Sequence, residues 1–379
     1  PFCSSRKQVS SVNVSRLALA LVPHAGLRLS IDADLGISSA PPASKVVKKL
    51  SILADLQVEM NLEGNMELVT SSCKPTLEGT GSSTEEVERW SLSFAICLDV
   101  AKLLLSPNQR LFSLTTQFPI TPTCQVQYVP LAVPMFSEQG IIISLQTTFQ
   151  VAGIPIPLPV SPVPFSMPEP ASSSPSHLTL AFSEHFYTSL FFALEIAGAF
   201  NMTFVGSAHH PETTAPLSWQ MGSLFQEDVP VILQAVFRSS PRVELEEGRA
   251  ALKLFLTIHV GAGPAAFQSF LSVSVVSVPW EPAKCALGAC QVCPGSLPSV
   301  PWEPAKCALG ARRALGDAVL QEMFLPTIGR EVPAQLNEVL SEGIFLPHIS
   351  GFTYTDLSVA IHRDYVLVPC NLQLQERLG

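Results

Sequence analysis

Apolar and polar residues alternate with a period of two along "RLALALVPHAGLRLSIDADLGI" (16–37). Leu17, Leu19 and Leu21 alternate with alanines. After a turn near Pro23–Gly26, Leu27, Leu29, Ile31, Ala33 and Leu35 alternate with Arg28, Ser30, Asp32 and Asp34. Side chains of an extended chain point to opposite faces in turn, so these are strands with one wet and one dry face. "SILADLQVEMNLEGNMELVTSSCKP" (51–75) repeats the pattern: Ile52, Ala54, Leu56, Val58, Met60 and Leu62 face one way before Glu63-Gly64-Asn65 turns the chain. The pattern predicts a β-meander with an aliphatic dry face.

The period then changes. In "SSTEEVERWSLSFAICLDVAKLLL" (82–105), apolar residues fall at 87, 90, 94, 97, 98, 101, 104 and 105, a helical stripe. Ser83 and Glu86 have capping-box spacing at its start. Cys73 ends the preceding strand and Cys97 lies on the stripe, which fits a disulfide pinning helix to sheet or two buried thiols. Strands return over 123–150, with a turn at Ser137–Gly140. Ser183 then caps a helix over 184–198, ended by Gly198, and a strand follows. A hairpin at 242–260, a strand at 267–278, a helical zone at 314–341 kinked at Pro326 and Pro333, and a final strand pair at 352–368 complete the pattern.

Between these two β-and-helix regions stands "IPIPLPVSPVPFSMPEP" (154–170), with seven prolines in seventeen positions. Proline lacks the N–H that a ladder needs and fixes its own φ, so this stretch is neither helix nor central strand. It is extended, either wrapped against the protein or acting as a spacer, and it joins two α+β domains. The organisation expected is an amino-terminal domain at 1–150, a linker at 151–171 and a carboxy-terminal domain at 172–379. "SVPWEPAKCALGA" occurs at 277–289 and again, letter for letter, at 299–311, and reads as an inserted loop without function.

Composition sharpens this picture. Hydrophobic residues make up 47% of the chain and charged residues only 14%, with mean hydropathy +0.33. Either the cores are large or apolar side chains line a cavity that contacts a ligand. Membrane spanning is not indicated, because the best apolar stretch, 178–204, is interrupted by Glu184, His185 and Glu195. The net charge is −9, and no basic run exceeds Lys48-Lys49 or Arg312-Arg313, which argues against nucleic acid and against strong attraction to anionic lipid. Two sequons, at Asn13 and Asn201, are glycan acceptors if the chain enters the secretory route. The chain begins at Pro1 without a signal peptide, and reads as a mature product or a fragment.

Candidate chemistry is sparse. Cys290 and Cys293, with Cys285 and Cys307, have irregular spacing for a zinc site and read as disulfides or thiols. "VGAGPAAF" (260–267) imitates a dinucleotide fingerprint, but Pro264 and the alternation that follows predict turn and strand where the fingerprint needs a helix. His209, His210 and Glu212 lie in a polar loop. No nucleophile elbow, zincin motif or phosphate loop occurs, so the reading is a non-enzyme without metal or cofactor.

"HLTLAFSEHFYTSLFFALEIAGAFNMTF" (177–204), preceded by the proline segment, resembles the domain junction of the bactericidal/permeability-increasing (BPI) fold family, through Leu180, Ser183, Phe186, Ala197, Gly198 and Met202. "QLNEVLSEGIFLP" (335–347) resembles a late family motif at Asn337, Leu340, Gly343, Leu346 and Pro347. "ELVTSSCKPTL" (67–77) looks like the family's strand-end cysteine, which implies a Cys73–Cys97 disulfide, with Leu98 where the family has proline. The resemblance runs from residue 14 to 370 without 277–311, and family B, the long palate-lung-nasal type, fits best. The family's long first helix would precede residue 14, so the chain reads as incomplete there.

The resemblance implies an α+β boomerang of two strongly twisted antiparallel half-barrels with apolar helices, joined by a central sheet and the proline linker. Each half would hold phospholipid-like acyl chains in an apolar groove. The expected groove residues are Leu19, Leu29, Trp90, Phe94 and Leu98 in the first half and Phe324, Ile328, Leu336 and Leu340 in the second. Each is also a good core residue, and core packing is the commoner fate of such a side chain. The functional expectation is a secreted, non-enzymatic lipid carrier or presenter without stable membrane insertion. Its alternative is an innate-defence protein that binds microbial surfaces, through lipopolysaccharide-type ligands, by its exterior.

Overall fold

The computed structural model describes residues 7–39, 44–78, 97–161, 176–206, 231–262, 268–278 and 331–374, apart from 333, 337, 341, 342 and 348. Within these the period-two segments are antiparallel strands. In chain order the elements are β1 (Lys7–Val22), β2 (Gly26–Ser39), β3 (Ser44–Met60), β4 (Met66–Leu77), α1 (Leu105–Phe112), β5 (Gln117–Thr121), β6 (Cys124–Pro130), β7 (Met135–Phe136), β8 (Ile141–Ile142), β9 (Leu145–Val151) and β10 (Ile154–Pro155). β11 (Leu178–Ser183), α2 (Glu184–Ile196), β12 (Met202–Gly206), β13 (Val231–Glu246), β14 (Arg249–Ala262), β15 (Gln268–Val278), β16 (Phe352–Thr355), β17 (Ala360–His362) and β18 (Tyr365–Leu374) follow. They fall into two units, Pro1–Thr116 with Tyr128–Gln146, and Gln117–Gln127 with Thr147–Gly379.

The first unit is built on the meander β1-β2-β3-β4. One rung of its ladder runs Leu19, Leu29, Ala54, Cys73, all on the dry face. Gly26 opens β2 at φ +134°, and a Cβ there would lie 2.2 Å from the Leu56 carbonyl oxygen, so the β1–β2 turn admits only glycine. Residues 97–103 are helical, and the helix resumes as α1 after a turn at Leu104. The sequence pattern ends this helix at Leu105, but it runs on to Phe112. Pro107 is only the third residue of α1, where a missing N–H has no partner to lose. Asn108 is buried, and its carboxamide closes a double hydrogen bond on Leu68, accepting from N at 2.8 Å and donating to O at 3.0 Å. The Cys73–Cys97 disulfide, with S–S 2.03 Å, is the second fastening of helix to sheet.

The second unit surrounds α2. Ser183 caps it as the sequence pattern predicts, accepting from the Phe186 N–H at 3.3 Å, and Gly198 leaves it at φ +73°. Phe186 through Phe191, with Ala193 and Leu194, are buried, so α2 is a central helix and not a surface one. Against it lies the sheet β12-β13-β14-β15, whose Leu252, Leu254, Leu256 and Ile258 are fully buried. β12 pairs with β13 only between Val231 and Ala235. Farther along β13, α2 side chains take over part of a strand's task. Thr188 Oγ1 accepts from the Val243 N–H at 3.1 Å and Glu184 Oε2 from the Leu245 N–H at 2.8 Å. Two further four-stranded sheets, β10-β9-β6-β5 and β11-β18-β16 with β17 on β18, and the two-stranded β7-β8 complete the described strands.

The proline segment begins wrapped. β10 pairs with β9, the Ile156 N–H donates to the Phe149 carbonyl at 3.0 Å, and His185 Nε2 lies 2.8 Å from the Val160 oxygen on α2's first turn. Its remainder lies outside the described residues, as do Ser83, Glu86, His209, His210, Glu212, Cys285, Cys290, Cys293 and Cys307.

Candidate functional site

The dry face of the first sheet is covered unevenly. On its β3 side, Leu50, Ile52, Ala54 and Leu56 pack with Leu35 under Val100 and Leu104 of the helix, and Ala54 is 0% exposed. One strand outward, Leu27, Leu29 and Ile31 are half-buried against that cluster. At β1 no cover remains among the described residues: Leu17 is 68% and Leu19 60% exposed, with Val12 and Val14 similarly open. Exposure therefore grades across one continuous aliphatic surface, from core to open face.

A bulge maintains this surface. The register shifts between Val14 and Arg16, so Val12 and Val14 at even positions and Leu17 and Leu19 at odd positions reach the same side. The parity switch of the apolar residues was the sequence signal for it. The opposite face is polar: Arg28 Nε donates to Asp55 Oδ1 at 2.7 Å, Ser72 Oγ to Asp55 Oδ2 at 2.9 Å, and Ser51 Oγ to Asp32 Oδ1 at 2.6 Å. The hydrogen bonds from Arg28 and Ser72 hold the Asp55 carboxyl below its usual pKa.

Beside the β1–β2 turn stands the hairpin β7–β8, whose turn the sequence pattern places at Ser137–Gly140. The His24 N–H donates to the Phe136 carbonyl at 2.9 Å and ties β7 to that turn. Phe136 is buried, whereas Leu131, Val133, Met135, Ile141 and Ile143 are exposed. With β1, this hairpin makes the first unit's open surface strongly apolar. Its only charge between Leu131 and Ile143 is Glu138.

Of the expected groove residues, Leu19 and Leu29 are register partners on the graded face. Leu98 is 47% exposed on the helix, outside the buried cluster of the first sheet. Leu336 and Leu340 are buried, with Val332, on one side of the helical residues between 331 and 340. Trp90, Phe94, Phe324 and Ile328 lie outside the described residues. Asn13 and Asn201 are both exposed.

Reactive groups are few. Cys124 and Cys370 are buried free thiols whose burial pushes each pKa up to about 11, far from thiolate chemistry at neutral pH. No group of three metal-ligating side chains occurs among the described residues. Three buried side-chain oxygens lack a hydrogen-bond partner among the described residues, those of Thr70, Ser189 and Glu195, and the last is a carboxylate. Glu195 sits in the last turn of α2, at the negative end of the helix dipole, with Oε2 buried and unpartnered. Burial raises its pKa above the usual carboxylate value of 4.5. The folded state thus holds the proton more tightly than the unfolded chain, and this contribution to stability falls as pH rises from about 4.5 through the folded pKa. Glu195→Gln is expected to raise the urea midpoint at pH 7 and to leave it nearly unchanged at pH 4. Equal shifts at both pH values would separate the effect from ionisation.

No family model matches the chain. Protein TENP of Gallus gallus is 50% identical over 406 residues, covering 100% of this chain and 87% of that protein. A crystal structure of lipopolysaccharide binding protein matches with TM-score 0.50 and 16% identity, over 98% of this chain and 88% of that one. At that identity the likeness is one of fold.

Proposed function

The chain belongs to the BPI-fold family, as Protein TENP does, and from that premise we propose that it is a secreted, non-enzymatic lipid-binding protein that shields acyl chains on the open dry face of its first sheet. The observation that carries this reading is the graded surface from Ala54 through Leu29 to Leu19. A core face left uncovered at one end costs free energy in water. Leaving a leucine or valine about 60% exposed forgoes about 1–2 kcal/mol of burial, and Val12, Val14, Leu17 and Leu19 all stand so. An acyl chain along β1 and β2 recovers that energy, since each buried CH₂ contributes about 0.8 kcal/mol. The polar network on the opposite face keeps that side in water. The Cys73–Cys97 disulfide suits an oxidising, extracellular setting.

Native mass spectrometry of the purified secreted protein, followed by organic extraction, tests the reading. Phospholipid-like molecules at one or two per chain are expected. A clean apo mass on folded protein would overturn it in favour of recognition of microbial surfaces by the exterior.

A further inference from the structure

β1 is the outermost strand of its sheet, and among the described residues its outer edge pairs with nothing. A long edge strand with free N–H and C=O groups and exposed aliphatic side chains is a template for pairing with another chain. Such edges are ordinarily blunted by charge or proline. Between Ser11 and Val22 β1 has no proline and one charge, Arg16. It does carry a sequon, Asn13-Val14-Ser15, in that same stretch.

Asn13 is exposed, its side chain has no hydrogen-bond partner among the described residues, and it stands opposite Asp34 in the ladder. Asp34 belongs to the polar row Arg28, Ser30, Asp32, Asp34, so Asn13 points to the wet face, while its neighbours Val12 and Val14 point to the dry one. Asn201 is differently placed. Its backbone N–H donates to the Gly198 carbonyl at 3.2 Å, and its Nδ2 lies 3.2 Å from where a Cβ of Gly198 would be. Its carboxamide lies against Gly198 at the end of α2, and its chain neighbours Phe200 and Met202 are buried.

We propose that Asn13 carries an N-linked glycan, and that this glycan keeps the free edge of β1 from pairing with a second copy of the chain while leaving the apolar face open. The inference rests on the secretory passage in the function proposed above. In the transfer, Asn13 Nδ2 forms a bond to the anomeric carbon of a polyprenyl-pyrophosphate-linked oligosaccharide. The bond from that carbon to phosphate oxygen breaks, the polyprenyl pyrophosphate leaves with the electron pair, and the amide proton passes to a base of the transferase. A branched sugar rooted on the wet face occupies the space that a strand alongside β1 would need. It does not reach round to Leu17 and Leu19, so lipid access is preserved.

The test uses the full chain secreted from a eukaryotic host, with glycopeptide mass spectrometry at Asn13 and Asn201 and light-scattering chromatography before and after glycosidase treatment of the folded protein. Occupied Asn13, a monomer before treatment, and dimers or larger species after it are expected. Asn13→Gln should associate in the same way with its lipid occupancy unchanged, and Asn201→Gln should stay monomeric. An empty Asn13 in protein whose Cys73–Cys97 disulfide has formed overturns the inference while leaving secretion intact. An occupied Asn13 whose removal leaves a monomer overturns the shielding role. Unglycosylated protein with both cysteines reduced overturns the secretory premise itself, and the inference with it.

Discussion

Replacing Cys73 and Cys97 together by alanine should lower the stability of the first unit by roughly 3–4 kcal/mol. The bridge joins residues 24 apart in sequence, and a cross-link closing a loop of that length removes about that much chain entropy from the unfolded state. Against a typical domain stability of about 5–15 kcal/mol, this is a large fraction. The location adds to the effect. Cys73 is the β4 member of the rung that passes through Leu29 and Ala54, and it packs against the cluster that Val100 and Leu104 close. Without the bridge, the Asn108–Leu68 pair is the remaining polar fastening of the helix to β4 among the described residues. Because the chain has two units, urea unfolding should be followed by hydrogen exchange resolved along the sequence. Loss of protection in β3 and β4, with α2 unchanged, is the expected result. An unchanged midpoint would mean that burial of Val100 and Leu104 alone holds the helix.

How far the sequence led to this structure differs between its elements. Alternation located β2 and β3 well, because one face is buried and a slip of one residue would expose every leucine. The α2 boundaries were equally plain, since Ser183 and Gly198 supply a cap and a left-handed exit. Alternation does not say what covers a dry face. Leu19 and Leu29 share a register pair and the same local pattern, yet Leu29 is half-buried and Leu19 open, because the covering helix lies over β3 and β4. The β7–β8 hairpin, whose turn at Ser137–Gly140 the pattern located, shows the same limit. Leu131, Val133, Met135, Ile141 and Ile143 have the composition of a buried strand, and only tertiary placement shows that they face outward. The continuation of the helix through Pro107 was hidden by a rule that holds for helix interiors and not for first turns. Glu195 gave no sign at all, since a glutamate near a helix end reads as solvated until the burial of its oxygen is seen.

The double substitution Leu17→Lys with Leu19→Lys should abolish most lipid binding while leaving the fold intact. Both side chains are largely exposed, so replacing them in the apo protein changes stability by little, as surface substitutions do. In a lipid complex the same two positions are where β1 would meet the acyl chain. Each leucine lost removes about 1–2 kcal/mol of apolar burial, and an ammonium against hydrocarbon adds a desolvation cost unless it bends back to water. The pair is worth about 2–4 kcal/mol, which is roughly thirty-fold to several-hundred-fold in affinity. Ala18→Lys is the matched control, because Ala18 stands opposite Ser30 on the polar face and adds charge to the same strand without touching the dry side. Binding is measured by displacement of a fluorescent fatty-acyl probe, and folding by circular dichroism and urea midpoint. If both lysine proteins bind as the parent does, the acyl chains lie elsewhere and the open face of β1 has another use. If both lose binding equally, the loss follows from added charge on β1 whichever face it is on, and the dry face is not where the hydrocarbon lies. Loss confined to the Leu17/Leu19 protein, at unchanged stability, places the hydrocarbon on the uncovered end of a sheet whose other end is the core.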